Sequence, residues 1–415
     1  MDAKKLISQS QCEIIMNVYH EQNSLKIKSF SVTPFQAQMD GLIGEQFILN
    51  IQYSKGEESR ELKCFLKTLS ESIPVMLQLS KEILAYEKEA FYYDKLVPML
   101  KSAGMTCDYA PRSFLCQPSI IVLENLADMS YRGSGKNLSM DFAHCKMCME
   151  TLARFHLDPI LLEILRHKQT GKTFKLLDEF PLLENKVFCG DDNGANRFIQ
   201  HSVQGLLEII KVIPEEGVSS NEFMEKLQQV VKEIMSYPQA PEGFRSTVLH
   251  GDLWSNNFLF LYGDENEIKH CKLLDFQTLN YGPPAIDVLQ FIFTNTRKSF
   301  RDEHQKELLT YYYSYFCRLS NERGIEPSEV LSESEFWRSC DMFTLAAKIH
   351  SVVDRSITFI SEERFLEAAQ TDEGFSRFLY EDRGKFILKE FQSNGSFNEI
   401  LTEDICELRE MLFKH

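Results

Sequence analysis

The stretch VLHGDLWSNNFLF, from Val248 to Phe260, places a polar cluster between two apolar flanks. Within it, His250 lies two positions before Asp252, and four residues separate Asp252 from Asn257. This is the spacing of a kinase catalytic loop, in which the aspartate accepts the proton of the attacking hydroxyl and the asparagine amide oxygen holds a magnesium ion. A polar β-turn uses the same residue types, so this stretch alone leaves both interpretations open.

A second polar position closes the next strand-like run. In CKLLDFQ, Asp275 ends a row of apolar residues and precedes Phe276, as the metal-binding aspartate of a D-F-G motif does. Gln277 replaces the glycine of that motif. A hairpin that begins at Asn257 and ends at Asp275 would bring two magnesium ligands to one edge, so the two motifs together predict phosphoryl transfer.

The cation expected on the nucleotide phosphates comes from the N-terminal part of the chain. Lys67, on the predicted strand ELKCFLKTL, is the candidate because it follows the more apolar residues, and Lys63 on the same strand face is its rival. The helix that follows offers Glu87 and Glu89, of which Glu89 shares a helix face with two tyrosines and is the choice for holding the lysine. A solvated surface charge is the alternative for each residue.

The loop that would cover the phosphates is the weakest part of the pattern. The segment DGLIGEQF contains Gly41 and Gly44 but no G-x-G-x-x-G. The backbone at Gly44 is expected to approach the phosphates, since a glycine leaves room for a ligand. A plain hairpin turn would use the same residues.

The elements that must position these residues follow from hydrophobic periodicity. Residues 44–69 alternate as a β-hairpin, the pattern from Ile83 to Leu100 is helical with Pro98 expected to close it, and two short strands follow. The chain then becomes mostly helical, starting with a helix capped by Ser139. We therefore predict an α+β fold with two lobes. Residues 1–124 would form a small β-rich N-lobe, and residues 125–415 a large, mostly helical C-lobe.

The composition of the 415-residue chain limits its partners. A formal net charge of −16 opposes binding to nucleic acid or to an anionic membrane. Eleven scattered cysteines, and no apolar run that approaches a bilayer span, predict a protein of the cytoplasm with reduced thiols. A monomer is expected.

With these motifs in place, the chain resembles the ecdysteroid kinase-like family of insects, within the aminoglycoside and choline kinase-like group. The family's motifs are similar to YEKEAFYYDKLVP, IVLENLADMSYR, LARFH, HGDLWSNN, DFQ and GPPAIDVLQFIFTNT along nearly the whole chain. GEQF has Gln46 where the family usually has asparagine, and Asn125 stands where aspartate is usual.

The resemblance implies a protein-kinase-like bilobal fold that uses ATP and magnesium to phosphorylate hydroxyls of small molecules, with ecdysteroids as the best-known acceptors. It implies that Asp252 is the catalytic base and that Asn257 and Asp275 bind magnesium. It also implies that Lys67, together with Glu89, clamps the phosphates.

The resemblance also implies roles outside the catalytic loop. Glu124 and Leu126 would offer backbone groups to adenine, with Gly44 near the phosphates, and Asp287 would brace the catalytic loop. Only nine residues, 278–286, separate DFQ from Asp287, and no A-P-E motif follows, so the chain lacks the segment that presents a peptide in protein kinases.

Two other functions stay open at this stage. A choline- or aminoglycoside-type kinase would need an acidic pocket for a cationic acceptor. A catalytically inactive protein of kinase fold would bind a ligand without transferring phosphate, although every expected polar group is present. The leading hypothesis is a kinase of an apolar alcohol such as an ecdysteroid or a related metabolite or xenobiotic.

Overall fold

The computed structural model describes most of the chain, in the ranges 6–20, 25–35, 44–69, 74–117, 119–135, 139–185, 194–215, 217–236, 240–369 and 371–414. The chain forms two compact units. The first comprises Met1–Ser134 with Asn256–Gln277, and the second Gly135–Ser255 with Thr278–His415. The predicted α+β class is confirmed, because the N-terminal region contains the main β-sheet and the C-terminal part is mainly helical. The lobe boundary at residue 124 stays a prediction.

The first unit is built on a five-stranded antiparallel sheet of order β1-β2-β3-β5-β4. Every second residue of β2 is buried, as expected for a strand with one face against a core. The helix Gln9–His20 covers that core with Cys12, Ile15 and Met16. The strands are β1 Lys26–Pro34, β2 Glu45–Lys55, β3 Glu58–Thr68, β4 Ser113–Gln117 and β5 Ile120–Glu124.

Helical segments between β3 and β4 include an irregular turn. After Pro74–Glu82, the helix Ala85–Phe91 widens into a π-turn, Tyr92–Leu96, and continues as Val97–Ser102. The prediction that Pro98 closes the helix is wrong. Pro98 lies in the first turn of the last segment, where its missing N–H is tolerated.

A small sheet completes the first unit. Its strands are β6 Tyr131–Arg132, β8 Phe258–Tyr262 and β9 Ile268–Leu273, in the order β6-β8-β9. The predicted hairpin near the middle of the chain is β8–β9.

The second unit consists of helices and one two-stranded sheet, β7 Thr247–Leu249 with β10 Asn280–Gly282. Within the described ranges, no helix is long and apolar enough to cross a membrane. The helices are Phe142–Thr170, Leu176–Glu179, Gly194–Ile210, Asn221–Met235, Pro284–Asn295, Lys298–Glu322, Pro327–Val330, Glu333–Thr358, Glu362–Ala369, Asp372–Tyr380, Arg383–Ser393 and Gly395–Lys414.

Candidate active site

Lys67, near the end of β3, lies at the centre of a buried charge cluster in the first unit. Its ammonium donates to Glu89 Oε2 at 2.8 Å and to Asp275 Oδ1 at 2.7 Å, and only 4% of the side chain is exposed. The rival Lys63 is 43% exposed and lies 3.8 Å from Glu61. The structure therefore brings Lys67, and not Lys63, together with the predicted glutamate and aspartate.

The electrostatics of the cluster follow from two carboxylates that share one ammonium. Burial raises the pKa of Glu89 to about 7; Lys67 opposes this rise, and the charge of Asp275 adds to it. Burial also lowers the pKa of Lys67, but Asp275 and Glu89 outweigh it, and the net shift is upward. Lys67 thus stays charged, while Glu89 is the carboxylate that ionises with difficulty. Glu87, the alternative on the same helix, is exposed.

The backbone of Asp275 is held by the aromatic residue that follows it. Asp275 has a φ of 63°, a left-handed conformation that is uncommon outside glycine and that surrounding contacts must maintain. The ring of Phe276 is stacked on Tyr92 with centroids 3.6 Å apart, and it is nearly perpendicular to the Tyr93 ring, with centroids 5.8 Å apart. Both tyrosines belong to the π-turn, and such turns are frequent at functional sites. The Phe276 N–H also donates to Glu89.

Asn257 and Asp275 flank the same end of the β8–β9 hairpin. Phe258 pairs with Leu273, and the Leu274 N–H donates to the Asn257 carbonyl at 3.0 Å. An amide oxygen and a carboxylate are suitable ligands for Mg²⁺. In the described ranges no group of three or more His, Cys, Asp or Glu side chains could hold a metal ion. A magnesium ion would therefore need further oxygens from phosphates, as is usual for this metal in kinases.

Gly44 is fitted closely against the end of β3. Its φ is 100°, and a Cβ there would lie 2.4 Å from the Tyr86 hydroxyl and 3.0 Å from the Thr68 carbonyl oxygen. No other residue fits this backbone without displacement. Gly41, the other glycine of the predicted loop, lies outside the described residues.

The end of β5 carries the two residues predicted to contact adenine. The carboxylate of Glu124 forms an ion pair with Lys272, and its N–H donates to the Arg112 carbonyl at 2.9 Å. The Leu126 carbonyl accepts two N–H groups of the turn that follows it. The adenine roles of the Glu124 and Leu126 backbone groups stay a prediction.

The loop that contains Asp252 lies in the second unit and follows β7. The fully buried carboxylate of Asp287 accepts the His250 N–H at 2.7 Å and the Gly251 N–H at 3.2 Å. His156 Nε2 lies 3.1 Å from the same carboxylate, and His156 Nδ1 lies 2.8 Å from the Tyr312 hydroxyl. Asp287 thus holds the backbone of the loop at His250 and Gly251.

Three further side chains hold carbonyl groups of this loop, and the sequence interpretation did not include them. Thr278 Oγ1 donates to the His250 carbonyl at 2.8 Å, and two amides of the helix Pro284–Asn295 hold the carbonyls of Gly251 and Leu253. The signal that could have revealed them is a row of polar residues at helical spacing in an otherwise apolar helix. These donors are Gln290 to Gly251 at 3.2 Å and Asn295 to Leu253 at 2.6 Å.

A sheet that carries a buried lysine–glutamate pair, and a helical part with a braced His-x-Asp loop, are features of the protein-kinase-like fold, and this predicted fold is confirmed. The model of the ecdysteroid kinase-like family matches residues 38–322, and the chain belongs to that family. As a member, it is a small-molecule phosphotransferase. No curated protein matches the chain.

Three solved structures illustrate what the chain is similar to. A choline kinase from Cryptosporidium parvum Iowa II is 13% identical, with a TM-score of 0.42 over 98% of this chain and 100% of that chain. An ethanolamine kinase from Plasmodium vivax is 13% identical, with a TM-score of 0.40 over 95% of this chain and 86% of the other. A gentamicin complex of APH(2")-IIa is 13% identical, with a TM-score of 0.40 over 96% and 98% of the two chains.

Proposed function

We propose that this protein is an ATP- and magnesium-dependent kinase that phosphorylates the hydroxyl of a small apolar alcohol, with an ecdysteroid as the leading candidate. The observation that carries the proposal is the Lys67 ammonium, buried between Glu89 and Asp275 in a member of the ecdysteroid kinase-like family. A buried, fully charged cation is suited to triphosphate oxygens, because water does not screen the attraction.

The nucleotide roles fall to residues of the first unit. Lys67 binds the phosphates, and Glu89 orients its ammonium. Asn257 and Asp275 would hold magnesium, which when bound would neutralise charge on the phosphates. The backbone after Gly44 approaches the phosphates. The backbone groups of Glu124 and Leu126 bind adenine.

Asp252 acts as the general base. Its carboxylate accepts the proton of the acceptor hydroxyl as the oxygen attacks phosphorus. The hydrogen bonds to the peptide groups of His250, Gly251 and Leu253 support this role, because a base must be held within a fraction of an ångström of its productive position.

The apolar acceptor rests on membership of the ecdysteroid kinase-like family. A choline- or aminoglycoside-type acceptor is cationic and would be stabilised by acidic groups.

The test is phosphate transfer to a panel of ecdysteroids, other hydroxylated small molecules, choline and an aminoglycoside, followed by mass spectrometry. We expect phosphorylation of an apolar alcohol, and Asp252→Asn should lower turnover by about 10²–10⁴-fold with ATP affinity unchanged. Asp264→Asn, the same change at an exposed position, is the control. Transfer to choline would support the cationic alternative, and ligand binding without any transfer would support the inactive binder.

A further inference from the structure

Gln277, the residue that replaces glycine in the Asp-Phe-Gly pattern, closes a triangle of hydrogen bonds. It lies in the 3₁₀ turn Phe276–Thr278 and is 4% exposed. With its amide oxygen toward Lys67, it accepts from Lys67 Nζ at 3.0 Å and donates to Asp275 Oδ1 at 3.1 Å. The reverse orientation would set amide hydrogens against the ammonium and the amide oxygen against a carboxylate, which repel. Together with the 2.7 Å contact between Lys67 and Asp275, the three side chains form a closed ring.

The neutrality of this side chain matters because the cluster already has more carboxylates than cations. Lys67 faces both Glu89 and Asp275, and all three groups lie mostly or fully out of water. A third carboxylate at position 277 would add a buried charge without a cation to compensate it, at a cost of several kcal/mol. An amide provides one donor and one acceptor without charge, and it matches both neighbours at once.

We propose that Gln277 is a positioning residue for the metal ligand Asp275. Its N–H keeps Asp275 Oδ1 fixed when Lys67 turns to the phosphates, so that Oδ2 keeps its direction for magnesium. Its carbonyl guides the Lys67 ammonium without competing for it as a carboxylate would. The roles of Lys67 and Asp275 in this inference rest on the proposed function.

The experiment compares the binding of metal-free ATP and of Mg–ATP by isothermal titration calorimetry in wild type, Gln277→Leu and Gln277→Met. We expect Gln277→Leu to lose about tenfold in affinity for Mg–ATP and little for metal-free ATP, since the loss lies in the orientation of the metal ligand. Gln277→Met, whose side chain is unbranched like that of glutamine, should show the same pattern, because it also lacks the amide that holds Asp275.

Gln229→Leu removes an amide at an exposed helix position and should bind both forms of ATP as wild type does. Equal affinities for Mg–ATP in wild type and Gln277→Leu, or an equal loss of affinity for metal-free ATP and for Mg–ATP, would overturn the inference. If Gln277→Leu does not fold, Gln277→Met decides.

A wild-type protein that binds neither form of ATP would refute the proposed function instead. In that case the ring itself is tested by urea unfolding of Lys67→Met, Gln277→Met and the double variant. Coupled effects support the hydrogen-bonded ring, and additive effects overturn it.

Discussion

A single ammonium, that of Lys67, balances two carboxylates of the first unit, and this sets how the cluster responds to pH. The pKa of Glu89 is about 7 in the folded protein, against an ordinary value of 4.5. The folded state therefore binds the Glu89 proton more tightly than the unfolded chain does. This contribution to stability is full below pH 4.5 and is lost as the pH rises through 7.

Gly44 gives the sharpest prediction for one residue. We expect Gly44→Ala to lower the free energy of unfolding by about 2–4 kcal/mol, because the new methyl group meets the Tyr86 hydroxyl at a positive φ. Gly56→Ala is the matched control, since Gly56 also has a positive φ, 65°, but open space around its Cα. Its cost should be about 1 kcal/mol. Urea unfolding followed by circular dichroism measures both, and equal losses would show that crowding at Gly44 is absent.

At the scale of elements, the alternation of apolar residues and the turn residues predicted those elements whose contacts are close in sequence. The β2–β3 hairpin lies within the predicted residues 44–69, because its alternation and its turn at Gly56 are encoded nearby. Strand β1 was missed, since most of its residues are partly or fully exposed and its place is set by pairing with β2. The π-turn inside the predicted helix was also missed, and its Tyr92 and Tyr93 make ring contacts with Phe276 that the local sequence does not specify.

The N-cap of the long helix Phe142–Thr170 differs between the sequence-based prediction and the structure, and mutation can test which residue caps the helix. Ser139 was the predicted cap, but Asp141 accepts the His144 N–H at 2.9 Å and is the N-cap. We expect Asp141→Ala to cost about 0.5–2 kcal/mol of the free energy of unfolding, and Ser139→Ala to cost much less. Thermal and urea unfolding of the two variants measure the difference. A larger loss in Ser139→Ala would restore the sequence-based cap.

At the scale of the whole molecule, the sequence identified the residues of the candidate site better than the framework that holds them. Lys67, Glu89 and Asp275 were chosen by type and spacing, and the structure brings them together. The contacts of Gln290 and Asn295 with the Asp252 loop join positions about 40 residues apart, and a polar row in the helix marks these residues without specifying their partners. The same holds for the buried ion pairs between the C-terminal helices.

Those ion pairs, with the hydrogen bonds of Arg355, connect three helices of the second unit around one carboxylate. Asp404, on the helix Gly395–Lys414, accepts from Lys348 Nζ at 2.7 Å and from Arg355 Nη1 at 2.7 Å. Arg355 also donates to the carbonyls of Thr294 and Thr296, at the end of the helix that carries Asp287. Burial alone would raise the pKa of Asp404, but Lys348 and Arg355 outweigh it and lower the pKa to about 2.

Removing this carboxylate should therefore weaken the whole second unit. We expect Asp404→Asn to lower the free energy of unfolding by about 3–5 kcal/mol, because Lys348 and Arg355 stay buried with less negative charge to compensate them. Glu399→Gln removes a carboxylate that is 74% exposed and contacts Arg297, and its loss should stay below about 1 kcal/mol. Urea unfolding measures both variants. If their midpoints coincide, the buried pairs contribute no more than a surface pair, and apolar packing alone must hold these helices together.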